Sequence, residues 1–215
     1  MRPLLDEAAL PQSMSLDEAL AAQESGAVIL DARSPEDFAT GHIAGSVNIG
    51  IGGRYAEFAG GVLSPAASIV LVAGDGQELE AKNRLARIGF DNVVGAIESP
   101  MQAMADNPDS TAQGKRVDVK GLVELQKNFP DLQLVDVRQP GETAGGTIEG
   151  AIVIPLTRLA EEVGSLDRNR PTAIYCAGGF RSSIAASILR ANGFGGYVSD
   201  LLGGYGAWTK AHATA

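Results

Sequence analysis

The chain has 215 residues, of which 45% are hydrophobic and 20% charged, and its formal net charge at pH 7 is −9. This length allows one large domain or two small ones, and the composition excludes a mainly disordered or collagen-like chain. No stretch approaches roughly 18 consecutive apolar residues, which argues against a membrane span. An acidic chain without a basic patch also argues against nucleic acid and anionic membranes as partners.

The chain holds a single cysteine, Cys176, and two histidines. One cysteine excludes an intramolecular disulfide, and this set of residues offers none of the usual zinc-ligand spacings. We therefore expect no metal and no cofactor. The N-terminal residues lack the long apolar core of a secretory signal, and with a lone thiol this indicates a cytoplasmic protein.

The sequence repeats itself with a period of about 105 residues. Residues 30–35 (LDARSP) match 135–140 (VDVRQP), and residues 41–45 (GHIAG) match 146–150 (GTIEG). We interpret this agreement as two copies of one fold. The predicted organisation is a first domain at 1–100, a linker at 101–116 and a second domain at 117–215.

Both copies have the same predicted order of elements. In the first, Ser15 and Glu18 form a capping box that opens a helix, and Asp118 caps the corresponding helix in the second. Helices predicted in the second half of each copy end at Gly89 and Gly193. Strands are predicted at 27–30, 46–49, 69–72 and 92–94, and at 132–135, 151–154, 172–175 and 197–199. This alternation predicts an α/β fold in which each domain has a central, mostly parallel sheet flanked by helices on both faces.

The loop after the third strand of the second copy carries the chemistry. It reads Cys176, Ala177, Gly178, Gly179, Phe180 and Arg181, and we expect a helix to start at Ser182. The thiol is thus placed at the carboxyl end of a strand, where open α/β sheets bind ligands. Three features favour the thiolate over the thiol: the backbone N–H groups of a glycine-rich turn, the positive end of the helix and the arginine. A small buried cysteine without a function is the alternative reading of the same residue.

These residues resemble the rhodanese-like sulfurtransferases, and the resemblance covers nearly the whole chain as a tandem of two domains. It rests on the motif at 136–138 (DVR), the loop Cys176–Arg181 and the segment 202–208 (LGGYGAW, with LGG and Trp208 matching). The resemblance implies that Cys176 takes a sulfane sulfur from a donor, as a persulfide, and passes it to a thiophilic acceptor. It implies that residues 177–181 bind the substrate. The loop is one residue shorter than in related phosphatases and offers no general acid, which favours sulfur transfer over phosphate hydrolysis.

Thiosulfate and low-molecular-weight persulfides such as glutathione persulfide are both candidate donors, and a thiol or cyanide is the expected acceptor. Apart from Arg181 the loop is neutral, which casts doubt on thiosulfate. The segment 52–60 (GGRYAEFAG) is also similar to the C-terminal rhodanese pair of fusions with a metallo-β-lactamase-type persulfide dioxygenase. This narrower resemblance implies such a dioxygenase, in the same or another chain, as a partner.

The first copy lacks this chemistry. An alignment without gaps in this region places Val72 opposite Cys176 and Gln77 opposite Arg181, so we expect the first domain to be inactive. We further predict that the Asp75 carboxylate turns inward and fills the anion site of its own loop. A rival reading of the whole chain is a non-enzymatic module for interaction or sulfur sensing. Arg33 and Arg138 follow aspartates at strand ends and are predicted to form structural ion pairs.

Overall fold

A computed structural model describes residues 8–213 of the chain. The chain divides into two compact units, of which the first ends at Gln113 and the second begins at Gly114. Each unit has a five-stranded parallel sheet flanked by helices, which confirms the predicted α/β class.

The first unit contains seven strands and five α-helices among the described residues. Its strands are β1 (Ser13–Met14), β2 (Val28–Asp31), β3 (His42–Ile43), β4 (Val47–Asn48), β5 (Ile69–Val72), β6 (Val93–Ile97) and β7 (Thr111–Ala112). Its helices are α1 (Leu16–Glu24), α2 (Pro35–Thr40), α3 (Tyr55–Val62), α4 (Glu78–Ala86) and α5 (Pro100–Asp106). The parallel sheet has the order β1-β6-β5-β2-β4, and β3 pairs with β7 in a separate antiparallel ribbon.

The second unit repeats this plan. Its strands are β8 (Lys115–Val117), β9 (Gln133–Asp136), β10 (Ile152–Val153), β11 (Thr172–Tyr175) and β12 (Val198–Leu201). Its helices are α6 (Val119–Asn128), α7 (Pro140–Thr143), α8 (Leu159–Glu162), α9 (Phe180–Ala191) and α10 (Gly204–His212). The sheet order is β8-β12-β11-β9-β10, the same arrangement as in the first unit.

Local signals in the sequence account for several of these boundaries. Ser15 and Glu18 form the predicted capping box of α1, and the Asp118 carboxylate accepts the Gly121 N–H at the start of α6. Helix α9 begins at Phe180, two residues earlier than predicted, because Gly179 takes a φ of 99° and turns the chain directly into the helix.

The segment 101–116, predicted to be a linker, is instead part of the two folded units. Met104 of α5 is 5% exposed and belongs to the first apolar core. Strand β7 pairs with β3, and β8 joins the second sheet beside β12. The apolar side chain and the strand pairing bind this segment to its neighbours, which local composition alone did not reveal.

A buried ion pair follows the second strand of each predicted repeat. Asp31 at the end of β2 is bound by Arg33, and Asp136 at the end of β9 is bound by Arg138. In both pairs the arginine side chain and its own backbone N–H bond the same carboxylate. The predicted structural role of both arginines is confirmed, because each pair fixes the turn that leaves its strand.

Candidate active site

Cys176 immediately follows β11, at the carboxyl edge of the second sheet. The residue is only 1% exposed, whereas Ala177 and Gly178 beside it are exposed. The loop 176–181, which we call the cysteine loop, leads directly into α9. Its thiol therefore lies at the bottom of a short turn whose rim faces solvent.

Gly179 and Ser182 both lie within hydrogen-bond distance of the Cys176 sulfur atom. The Gly179 N–H donates to Cys176 Sγ at 3.1 Å, and the fully buried Ser182 Oγ lies 3.6 Å from Sγ. The serine hydroxyl can accept a hydrogen bond from the thiol or donate one to the thiolate. Both contacts can therefore stabilise negative charge on the sulfur.

The start of helix α10 is hydrogen-bonded to the backbone of the cysteine loop. The Tyr205 N–H donates to the Cys176 carbonyl at 2.7 Å, and the Gly206 N–H donates to the Ala177 carbonyl at 3.0 Å. In a trans peptide the carbonyl and the next N–H point in opposite directions. The N–H groups of Ala177 and Gly178 therefore point away from α10, and in the described part of the chain neither has a partner. They are available to an anion bound at the loop.

Glycine at position 204 makes this contact possible. A Cβ atom there would lie 2.3 Å from the Cys176 carbonyl oxygen and 2.8 Å from the Ala177 carbonyl carbon. The preceding Gly203 has a φ of 70° and caps α10. Gly204 is thus explained by a close approach between two backbone segments, and Gly203 by the positive φ of the helix cap.

Arg181, in the first turn of α9, forms an ion pair. Its two terminal nitrogens donate to the two carboxylate oxygens of Glu142 in α7, each at 2.6 Å. These hydrogen bonds lower the pKa of Glu142 to about 2. The same pairing raises the pKa of Arg181, and the charge of Cys176 and a side-chain interaction with it act in the same direction. The predicted anion ligand is therefore already bound to an internal anion.

The structure brings Cys176, Gly179 and Arg181 together around one loop, with the exposed Ala177 and Gly178 at its rim. Phe180 is half-buried and serves as the first residue of α9. The sequence analysis missed two residues of the site, Glu142 and Ser182. Glu142 could have been found from the sequence, because it follows Gln139 at the spacing of a capping box.

The corresponding loop of the first domain is built differently. Val72 pairs with Asp31 in the way that Tyr175 pairs with Asp136, so Ala73, and not Val72, is the counterpart of Cys176. The alignment was wrong because the segment from the strand end to the glycine after the helix is one residue shorter in the first domain, 72–89 against 175–193, which an alignment without gaps cannot show. The first domain has an alanine where the second has its thiol.

The prediction for Asp75 is also wrong. Its side chain is exposed and fills no anion site. The Gln77 N–H donates to the Gly74 carbonyl at 2.9 Å, and the Gln77 side chain folds back over Gly74. The short loop thus closes on itself as a tight turn, which leaves Asp75 at its outer tip.

The described residues 8–213 contain no group of three His, Cys, Asp or Glu side chains arranged to hold a metal ion. Within that same range, no helix is both long enough and apolar enough to cross a membrane.

The family model of the rhodanese-like domain matches the chain twice, at residues 15–103 and 120–211. These matches cover most of the sequence and coincide with the two repeated folds described above. The chain belongs to the rhodanese-like family and carries two such domains.

Several similar proteins match one domain's length of this chain. A sulfurtransferase of Allochromatium vinosum is 33% identical over 94 residues, 44% of this chain and 87% of that protein. The thiosulfate sulfurtransferase GlpE of Shewanella oneidensis is 34% identical over 99 residues, 46% of this chain and 96% of that protein. A crystal structure of a rhodanese-like domain protein from Staphylococcus aureus is 34% identical, with a TM-score of 0.41, and the match covers 44% of this chain and 90% of that one.

Proposed function

We propose that the second domain is a sulfurtransferase that carries a sulfane sulfur on Cys176 as a persulfide. The observation that supports this most directly is the hydrogen bond from the Gly179 N–H to the Cys176 sulfur, in a loop with two further N–H groups free to bind an anion. Membership of the rhodanese-like family and the names of the similar sulfurtransferases support the same reaction class.

In the first half-reaction the Cys176 thiolate attacks the outer sulfur of the donor. A new S–S bond forms to Cys176, the donor's own S–S bond breaks, and its electron pair leaves with sulfite or with a thiolate. The Gly179 N–H and the Ser182 hydroxyl stabilise the attacking sulfur. The free N–H groups of Ala177 and Gly178 bind the terminal sulfur of the persulfide.

In the second half-reaction an acceptor thiolate or cyanide attacks the terminal sulfur and regenerates the Cys176 thiolate. Because the first product leaves before the acceptor reacts, ping-pong kinetics are expected. Parallel double-reciprocal plots would agree with this order, and intersecting plots would contradict it.

We propose that the first domain does not carry sulfur, because Ala73 stands at the position of the thiol and its loop closes on itself. This domain fits the alternative function of the family, a non-enzymatic interaction module. Cys176→Ser separates the two functions, since it removes sulfur transfer and leaves partner binding by the first domain intact.

We also propose a cytoplasmic setting and a partnership with a persulfide dioxygenase, on the basis of the lone thiol and the segment 52–60. Such a partner would supply or consume a low-molecular-weight persulfide. A test is whether adding this protein changes the rate at which a purified persulfide dioxygenase consumes glutathione persulfide, with the Cys176→Ser variant as control.

The decisive experiment for the proposed function is intact-mass measurement of the reduced protein after incubation with thiosulfate or, separately, glutathione persulfide. We expect the wild type to gain one sulfur atom that cyanide removes, and Cys176→Ser to gain none. No gain with either donor would reject the sulfurtransferase and leave the interaction module as the better reading.

A further inference from the structure

The pair between Glu142 and Arg181 joins two elements that are far apart in sequence, α7 and α9. The guanidinium binds both carboxylate oxygens at 2.6 Å, the two-point geometry that makes arginine–carboxylate pairs strong. The pair is partly shielded, since the side chains of Arg181 and Glu142 are 18% and 36% exposed. Glu142 itself is fixed, because it also accepts the Gln139 N–H at 2.9 Å.

The pairing of Arg181 with Glu142 determines how much uncompensated positive charge a sulfur donor encounters at the cysteine loop. Arg181 is the only cation in the cysteine loop, and Glu142 neutralises it in the resting structure. The other arginine that the resemblance motif contributes, Arg138, is bound to Asp136. Backbone N–H groups, which carry only partial charges, therefore provide most of the free attraction for an anion at the loop.

We propose that Glu142 is a specificity-determining residue that neutralises the charge of Arg181 and makes the site prefer persulfide donors over thiosulfate. The inference rests on the proposed function and names the donor class for it. Thiosulfate is a small dianion, and a free guanidinium would compensate the charge of its sulfonate oxygens. A persulfide carries at most one negative charge at its sulfur end, which the N–H groups of the loop can bind.

Both donors give the same product by balanced steps. With a persulfide R–S–S⁻, the Cys176 thiolate takes the outer sulfur, the S–S bond of the donor breaks, and R–S⁻ leaves with the electron pair. With thiosulfate, the same attack releases sulfite. No oxidant or reductant is consumed, so the two reactions differ at the site mainly in the charge and shape of the leaving group.

The test compares kcat/KM for thiosulfate and for glutathione persulfide in the wild type and in Glu142→Gln. Glutamine keeps an oxygen that can accept the Gln139 N–H, so α7 retains its cap. Removing one negative charge at ion-pair distance is expected to raise the thiosulfate-to-persulfide ratio by about tenfold or more. In an Arg181→Met background, Glu142→Gln is expected to leave this ratio unchanged, because the guanidinium it acts through is gone.

The first domain supplies a matched control. Asp37 occupies the place of Glu142 in α2, but its carboxylate accepts the Ser34 hydroxyl, so Asp37→Asn is expected to leave the ratio unchanged. An equal fall or equal rise for both donors in Glu142→Gln would overturn the inference and leave Glu142 a structural role. Absence of a Cys176 persulfide with either donor, seen by intact mass, would instead reject the proposed function itself.

Discussion

The two domains share a fold and a sheet order but differ at the carboxyl edge of the sheet. In the second domain the loop surrounds the Cys176 sulfur, and the carbonyls of Cys176 and Ala177 accept hydrogen bonds from the start of α10. The first domain closes its loop as a tight turn between Gly74 and Gln77. Among the differences at this edge, the first domain has Asp37 for Glu142, Ala73 for Cys176, Gln77 for Arg181 and Pro100 for Gly204.

The comparison separates what the fold requires from what the site requires. Both domains keep the buried aspartate–arginine pair, so this pair belongs to the fold. Only the second has the contact from the start of α10 to the cysteine loop. In the first domain Pro100 begins α5, and the N–H of the next residue, Met101, makes no described bond to the Ala73 carbonyl. That contact therefore belongs to the site.

The largest effect is expected from breaking the shared ion pair. Asp136→Asn leaves Arg138 buried beside a neutral amide and should destabilise the second domain by about 3–5 kcal/mol. Asp31→Asn should destabilise the first domain by a similar amount. Trp208, the only tryptophan, lies in α10, so its fluorescence during urea unfolding reports on the second domain, and circular dichroism reports on both. A loss well under 1 kcal/mol in either variant would show that the pair is not a requirement of the fold.

A smaller effect, confined to the second domain, is expected from Gly204→Ala. The added methyl group would overlap the Cys176 carbonyl, so the loop must shift, at a cost of about 1–3 kcal/mol. The misplaced N–H groups should lower the rate of persulfide formation by roughly a hundredfold. Rapid-quench mass measurement checks this. Gly206→Ala is the matched control, because a Cβ there would lie 3.4 Å from the Ala177 carbonyl oxygen and the N–H is retained.

Adding a thiol alone to the first domain is not expected to make that domain carry sulfur. Ala73→Cys, made in the Cys176→Ser background, places a thiol at the corresponding point of the first domain. We expect no persulfide from either donor, because the loop closes on itself through the hydrogen bond from the Gln77 N–H to the Gly74 carbonyl. Intact mass before and after cyanide treatment is the measurement. A cyanide-labile sulfur on this variant would show that the thiol alone, and not the shape of the loop, distinguishes the domains.

The sequence predicted what local patterns control. Helix caps at Ser15 and Asp118 depend on residues within one turn, and the repeat located the thiol at the end of a strand. It did not predict the pair between Glu142 and Arg181, which are 39 residues apart, because only the packed fold brings them together. The orientation of Asp75 was also missed, since the length of its loop could not be determined from the alignment.

The burial of Cys176 sets a condition on the partners of the proposed sulfur transfer. The thiol is 1% exposed beneath an exposed rim at Ala177 and Gly178. A sulfur atom on the flat face of a folded macromolecule would meet these exposed loop residues before it met the thiol. Under the proposed function, a protein partner would therefore have to present its sulfur at the end of a slender, mobile tail, whereas a small metabolite is not limited in this way. Bulky alkylating reagents should accordingly react slowly with the Cys176 thiol when it carries no extra sulfur.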